Sequence, residues 1–343
     1  MPFEGEKFEE IPTPFKEEEK EEVEKEEVEE EKPEEKPLEE EELIIFDKEK
    51  ETLKTEREVN KEKVEKYLEK RASELAKRGY PYKEGDTRFN VEKLGEIDPV
   101  KYPSWRVENI KQFVKNKEEE WAKKMEELPE DQREIEEEKK RAGEEAEILI
   151  TAILGKGLGK RFSVHRSHEY DDYKHKVDNI IIDEETGKLV CAFDAKSGKP
   201  GPEFEQEKRE IEDLNQKGGT TLEVGVKLIR EKGKMKVIPG STGNLPLFYL
   251  ALLPKDVKEG LEKFNPSSKE MSEKEKEIFN HLVSLMAHHI EEKQPDKYKL
   301  NLSYRNALDS FDEALQDSGF IKEREKIRYG RRISERRAIR IEF

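Results

Sequence analysis

Two apolar runs joined by a short turn constrain this chain more than any other feature. Residues 177–183 read V-D-N-I-I-I-D, residues 188–194 read K-L-V-C-A-F-D, and Glu184-Glu185-Thr186-Gly187 separates them. β-Branched residues dominate the first run and apolar residues the second, and the link has the length and the glycine of a hairpin. Side chains alternate across a strand, so Asp194 and Lys196 point to the same side, while Asp178 shares a side with Ile180 and Ile182. By that alternation Val190 and Ala192 fall on the Asp194 side, and Leu189, Cys191, Phe193 and Ala195 on the other. A strand apolar on both sides is a central one, and charges at its end lie at a sheet edge or cleft.

The rest of the chain is too polar to form one globule around that hairpin. Of 343 residues, 32% are hydrophobic and 44% are charged, which leaves a large share for solvated helix or disordered chain. The net charge of −17 is unevenly spread: residues 1–50 hold 23 Asp/Glu against 8 Lys, and residues 320–343 hold 9 Lys/Arg against 4 Glu. A chain nearly neutral outside its acidic start, with a basic end, is not barred from nucleic acid. One cysteine, Cys191, rules out an intrachain disulfide and fits a reducing compartment. The sequence starts with no apolar leader, and no window approaches the ~20 apolar residues of a membrane span. The expectation is a soluble, cytoplasmic protein with no membrane partner.

Periodicity divides the chain into four parts. Residues 1–55 are expected to be a disordered acidic tail, ending in the sticky island Leu43-Ile44-Ile45-Phe46. Residues 56–130 are expected to be a helical region, with Val64, Leu68, Ala72 and Leu75 on one stripe of the first helix and Gly79-Tyr80-Pro81 stopping it. A loop with Pro99 and Pro103 follows, then a helix over 104–126. Residues 131–255 hold the core. Its helix, apolar nearly all round from Ala146 to Leu154, ends at the glycines of 155–159. Strands follow over 162–165, 177–183, 188–194, 222–229, 235–238 and 247–253, with a helix over 203–216. Residues 256–343 close with helices over 255–264, 271–292 and 303–317 and the basic tail. The all-round polarity of 115–140 fits projecting or paired helices, open to coiled-coil self-association.

The order α-β-β-β-α-β, with Asp178 at the start of one strand and Asp194-Ala195-Lys196 at the end of the next, resembles the PD-(D/E)xK nuclease superfamily over residues 140–255. That resemblance implies an α/β, restriction-endonuclease-like αβββαβ core, a mixed sheet flanked by helices, with helical N- and C-terminal extensions. It also implies a glutamate from the preceding helix. Of Glu144, Glu145 and Glu147, Glu147 is the best match, because Ile150 and Leu154 stand three and seven positions beyond it; Glu144 is second. The chain departs from the pattern at Val177, where a proline often precedes the aspartate.

The resemblance carries a chemistry. Glu147, Asp178 and Asp194 would be the metal ligands, since carboxylate oxygens suit Mg²⁺ or Mn²⁺. Lys196 would complete the catalytic set as partner to the base that activates water. The expected activity is metal-dependent hydrolysis of phosphodiester bonds, in DNA rather than RNA. Residues 165–175 read as a polar loop across the cleft mouth, in which Asp172 could add a carboxylate and Lys174 or His175 could touch phosphate. His168, Asp172 and His175 also read as an incomplete zinc set. Lys208, Arg209, Gln216 and Lys217 could follow a nucleic-acid backbone or face solvent. The alternative function is a non-catalytic helical scaffold or interaction protein whose nuclease-like core is inactive.

Overall fold

The computed structural model describes residues 44–47, 52–97, 102–159, 161–198 and 201–293, with 306, 309, 311 and 312. The acidic stretch 1–43, the basic tail 320–343 and most of the expected helix over 303–317 lie outside the described residues.

The chain enters through β1 (Ile44–Asp47) and β2 (Thr52–Thr55), an antiparallel pair. These strands fall inside the stretch expected to be disordered, which is a correction: strand pairing starts at the apolar island. Thr55 then caps α1 (Glu56–Ala76), its hydroxyl accepting from the Glu58 N–H while Glu58 accepts from the Thr55 N–H. Next come α2 (Val91–Ile97), in the segment expected to be loop, and α3 (Ser104–Glu127). The long α4 (Glu130–Gly157) passes through Gly155 rather than stopping there. A Cβ at Gly157 would lie 2.2 Å from the Phe279 ring, so that glycine serves close packing rather than a stop.

The central elements are β3 (Phe162–Arg166), α5 (Glu169–His175), β4 (Asn179–Asp183), β5 (Lys188–Ser197) and α6 (Pro202–Gln216). They are followed by β6 (Thr220–Leu222), β7 (Val226–Glu231), β8 (Lys234–Pro239), β9 (Thr242–Leu245) and β10 (Leu247–Leu252), then α7 (Pro254–Lys263) and α8 (Glu273–Lys293). The sheet order is β10-β5-β4-β3, with β10 parallel to β5 and the other pairs antiparallel. The architecture is mixed α/β: one mixed sheet flanked by helices, without a barrel. β6 pairs with β9, and β7 with β8.

Two apolar cores follow from strand alternation. One sheet face presents Phe162, Val164, Ile181, Cys191, Phe193, Phe248 and Leu250 to α4, with α1, α7 and α8 packed around it. The other face presents Ile180, Ile182, Ala192, Leu247 and Tyr249 to Tyr170 of α5 and Ile211 of α6. Each fully buried aliphatic chain of α4, such as Leu149 or Ile153, contributes about 1.5–3 kcal/mol. The helical stretch 56–130 is not a separate body, because Val64 and Leu68 of α1 join the first core and Val107 and Ile110 of α3 the second.

One alternation needs correcting. Ile181 pairs with Cys191 but Ile182 pairs with Leu189, so Val190 is the extra residue of a β-bulge. Val190 therefore packs with Cys191 in the first core, and Leu189 moves to the Ala192 side. Asp194 and Lys196 lie beyond the bulge and keep their shared side. The single strand expected over 222–229 is also divided. The Asp171 carboxylate accepts from the N–H groups of Glu223 (2.7 Å) and Val224 (2.8 Å), taking donors that a continuous strand would use. Among the described residues, no helix is long and apolar enough to cross a membrane.

Candidate active site

The ends of β4 and β5 bring Asp178, Asp194 and Lys196 together. Asp178 immediately precedes β4; its N–H donates to the Phe193 carbonyl, and its Oδ2 accepts from the Ala195 N–H at 2.7 Å. That bond sets the Asp178 carboxylate against the backbone between Asp194 and Lys196. Lys196 Nζ lies 2.8 Å from Asp194 Oδ1. Both aspartates are buried, at 5% and 3% exposure, whereas the Lys196 side chain keeps 35% of its surface open. Lys196 is thus anchored on a buried acid while part of its side chain stays open to solvent.

Glu147 reaches the same region from α4. It is 6% exposed, while Glu144 lies on the surface with Lys61 and Glu145 is taken up by Arg57. The Glu147 carboxylate is held by two arginines. Arg88 Nη2 is 2.8 Å from each of its oxygens, and Arg166 Nε is 2.8 Å from Oε1. Arg88 Nη2 also lies 3.4 Å from Asp172 Oδ2. One turn further along α4, Thr151 Oγ1 lies 2.6 Å from the Glu147 carbonyl and 2.7 Å from Oδ1 of Asn179, the first residue of β4.

The electrostatics match this crowding. Burial, then the charge of Asp178, pushes the Asp194 carboxyl well above its usual range despite Lys196. The same two causes push Asp172 well above its range despite Arg88. Burial works against the Lys196 ammonium, but Asp194 and Asp178 outweigh it and hold its pKa above the ordinary value. Burial also disfavours the Glu147 carboxylate, and Arg88 and Arg166 outweigh that and hold it below its usual range. Carboxylates forced together in a dry site invite a cation.

Among the described residues, no three His, Cys, Asp or Glu side chains form a group that could hold a metal ion, so the expected ligand set of Glu147, Asp178 and Asp194 is not assembled. Carboxylate oxygens are hard donors, and Mg²⁺ needs only one or two of them when water and phosphate oxygens supply the rest.

Several residues of this site escape sequence reading. Arg88 and Arg166 form it through an isolated bridge between the loop before α2 and β3; Arg166 falls within the expected loop across the cleft mouth with no role of its own there, and nothing at Arg88 marks it beforehand. Glu207 of α6 accepts from the Tyr249 hydroxyl at 3.0 Å, and its charge acts on Lys196. The expected loop over 165–175 contains α5, and there a signal existed: Glu169, Asp171 and Asp172 in the first turn and Lys174 and His175 in the last complement the helix dipole. Its cap is unusual, His168 Nδ1 accepting from the Tyr170 N–H at 3.1 Å.

The structure does not bring the zinc set together. His168 is spent on that cap and His175 Nε2 lies 3.0 Å from Glu223. Lys174 also goes to Glu223. On α6, Lys208 and Arg209 stand among Glu203, Glu205, Glu207, Glu210, Glu212 and Asp213, so the helix is acidic rather than basic. No family model, no curated protein and no solved structure matches this chain.

Proposed function

We propose that this protein is a metal-dependent nuclease that hydrolyses phosphodiester bonds in DNA on a restriction-endonuclease-like core. The observation that carries the reading is the meeting of Asp178, Asp194 and Lys196 at the adjacent ends of β4 and β5, with Glu147 of α4 near enough for the Lys196 charge to act on it. The order α4-β3-β4-β5-α6-β10, with β10 parallel to β5, supports the same core.

Asp178 and Asp194 would hold Mg²⁺ or Mn²⁺, which when bound lowers the pKa of water and screens phosphate charge. The side chains divide the remaining work. Asp194 Oδ1 fixes Lys196 Nζ at 2.8 Å. So placed, Lys196 would act as a donor to the phosphate oxygen on which charge develops. The bond from the Ala195 N–H orients Asp178.

The test is cleavage of supercoiled and linear DNA, with an RNA arm, by the full chain in Mg²⁺ and in Mn²⁺. Asp178→Asn, Asp194→Asn and Lys196→Ala should each lower the rate by about 10²–10³-fold, the usual weight of one group that stabilises a transition state. Cleavage by any of these variants at the unaltered rate removes the proposal. A second reading, a non-catalytic scaffold with a degenerate core, is favoured by one observation: Glu147 is already neutralised by Arg88 and Arg166. It predicts neither cleavage nor metal binding.

A further inference from the structure

We propose that Glu147 is the anchor of a cation the protein supplies itself, the Arg88 guanidinium, and that the site takes a single divalent ion on Asp178 and Asp194. This rests on the nuclease reading, in which the site holds a metal.

The geometry of Arg88 is that of a fixed counter-ion. Its Nη2 sits 2.8 Å from both Glu147 oxygens and 3.4 Å from Asp172 Oδ2, so one nitrogen bridges two acids from α4 and α5. Its Nε lies 3.9 Å from Glu169. The backbone around it is pinned: the Arg88 N–H donates to Asp86, the Phe89 N–H to the Arg166 carbonyl and the Asn90 N–H to the Pro81 carbonyl. Phe89 is buried at 1% exposure. The loop is thus docked along β3 and cannot withdraw the arginine without exposing that core. Arg166 completes the clamp, with Nε on Glu147 and Nη1 donating to Thr87 Oγ1 at 2.7 Å.

Occupancy decides the stoichiometry. Arg88 Nη2 already lies against both Glu147 oxygens and 3.4 Å from Asp172 Oδ2, so a second divalent ion would have to displace that guanidinium and leave a buried cation without its partners. In two-metal sites the second ion clamps the reacting phosphate. A guanidinium offers the same service through planar donors suited to phosphate oxygens. Arg88 Nη1 makes a long contact, 3.5 Å to the Ser167 carbonyl, and is the nitrogen with donor capacity left for it.

The test is Mn²⁺ titration of the full chain, followed by calorimetry and by the electron paramagnetic resonance of unbound Mn²⁺. The wild type should bind one ion. Glu147→Gln should bind it within about threefold of wild type, and Asp194→Asn should weaken it about tenfold or more, since only the latter removes a ligand. Arg88→Met should admit a second ion or tighten binding by about tenfold, and Arg88→Met with Glu147→Gln should return to one ion of ordinary affinity. Gln is nearly isosteric with Glu, so the single Glu147→Gln variant decides the matter even if Arg88→Met fails to fold. Loss of Mn²⁺ affinity in Glu147→Gln equal to that in Asp194→Asn, or two ions on the wild type, overturns this inference and leaves the nuclease reading standing. A wild-type protein that binds no Mn²⁺ overturns both.

Discussion

Glu147 and Lys156 lie on the same helix and both are withdrawn from water, yet their surroundings are built on opposite terms. Lys156 meets one partner of opposite charge, Glu275 of α8, at 2.5 Å; it also donates to the Asn265 carbonyl at 2.6 Å and sits 4.1 Å from the Phe264 ring centre. The other Glu275 oxygen accepts from the Ser272 N–H at 2.6 Å. One positive and one negative group, with their remaining bonding capacity met, fasten α8 to α4. Around Glu147 the count does not close: acids outnumber cations, and Asp172 and Asp194 are pushed above their ordinary range. A matched buried pair holds helices together, whereas an unmatched cluster is stable only because the surrounding fold imposes it, and it answers to a cation from outside.

Removing charge at the two ends should therefore have opposite signs. Lys156→Met strands Glu275 in the core and should cost about 3–5 kcal/mol. Asp194→Asn removes one member of a crowded set and should stabilise the fold by about 0.5–2 kcal/mol while cleavage is lost, as expected where function is maintained against stability. Urea midpoints of the two variants measure both. If Asp194→Asn destabilises the protein as Lys156→Met does, the contrast between matched and surplus charge is wrong.

His165 extends the matched class to a titratable group. Its ring is 1% exposed, with Nδ1 2.7 Å from the Tyr82 hydroxyl and Nε2 2.6 Å from Ser163 Oγ. Tyr80 and Phe89 lie against it. Burial, with Arg71 and Arg78, lowers its pKa well below the ordinary value. The unfolded chain then binds a proton that the folded chain refuses. The stability due to this group is fully present above about pH 6.5 and is lost as the pH falls below it, by about 1.4 kcal/mol per unit. Comparing wild type with His165→Gln from pH 7.5 to 5 should show the gap between them narrowing on acidification. A constant gap would mean that the buried ring takes its proton without penalty.

How much of this was legible beforehand depends on whether a residue's neighbours are set by the local chain or by docking. Asp178, Asp194 and Lys196 were legible because strand alternation and a four-residue turn fix their relation within one hairpin. The burial of Glu147 was legible because residues 148–150 and 152–154 surround it with apolar positions, but its pairing with Arg88 and Arg166 was not. The bulge at Val190 was not, since a run apolar on both faces reads the same with one extra residue in it. The division after Leu222 was hidden for another reason: it depends on the Asp171 carboxylate, distant in sequence, claiming two backbone donors. Arg88 was the least legible residue of the site. An arginine between Thr87 and Phe89 in a polar loop looks like any surface cation, and only the docking of that loop on β3 turns it toward Glu147.

The smallest effect expected is also the sharpest check on that reading of α4. Glu144, Glu145 and Glu147 occupy one turn and differ in surroundings alone. Glu145 is buried against the Arg57 guanidinium, with contacts of 2.8 Å at Nε and Nη2, and ties α1 to α4. Glu147 faces the acid cluster. Glu144 has only Lys61 at 3.2 Å and keeps 46% of its side chain in water. An ion pair that exposed is screened, and both long side chains lose freedom to form it, so Glu144→Gln should change stability by no more than about 0.5 kcal/mol. Its cleavage rate and Mn²⁺ affinity should match the wild type. A tenfold loss of either would mean that the helix offers its outer acid to the metal, and that the burial of Glu147 against Arg88 and Arg166 does not select which glutamate of the turn belongs to the site.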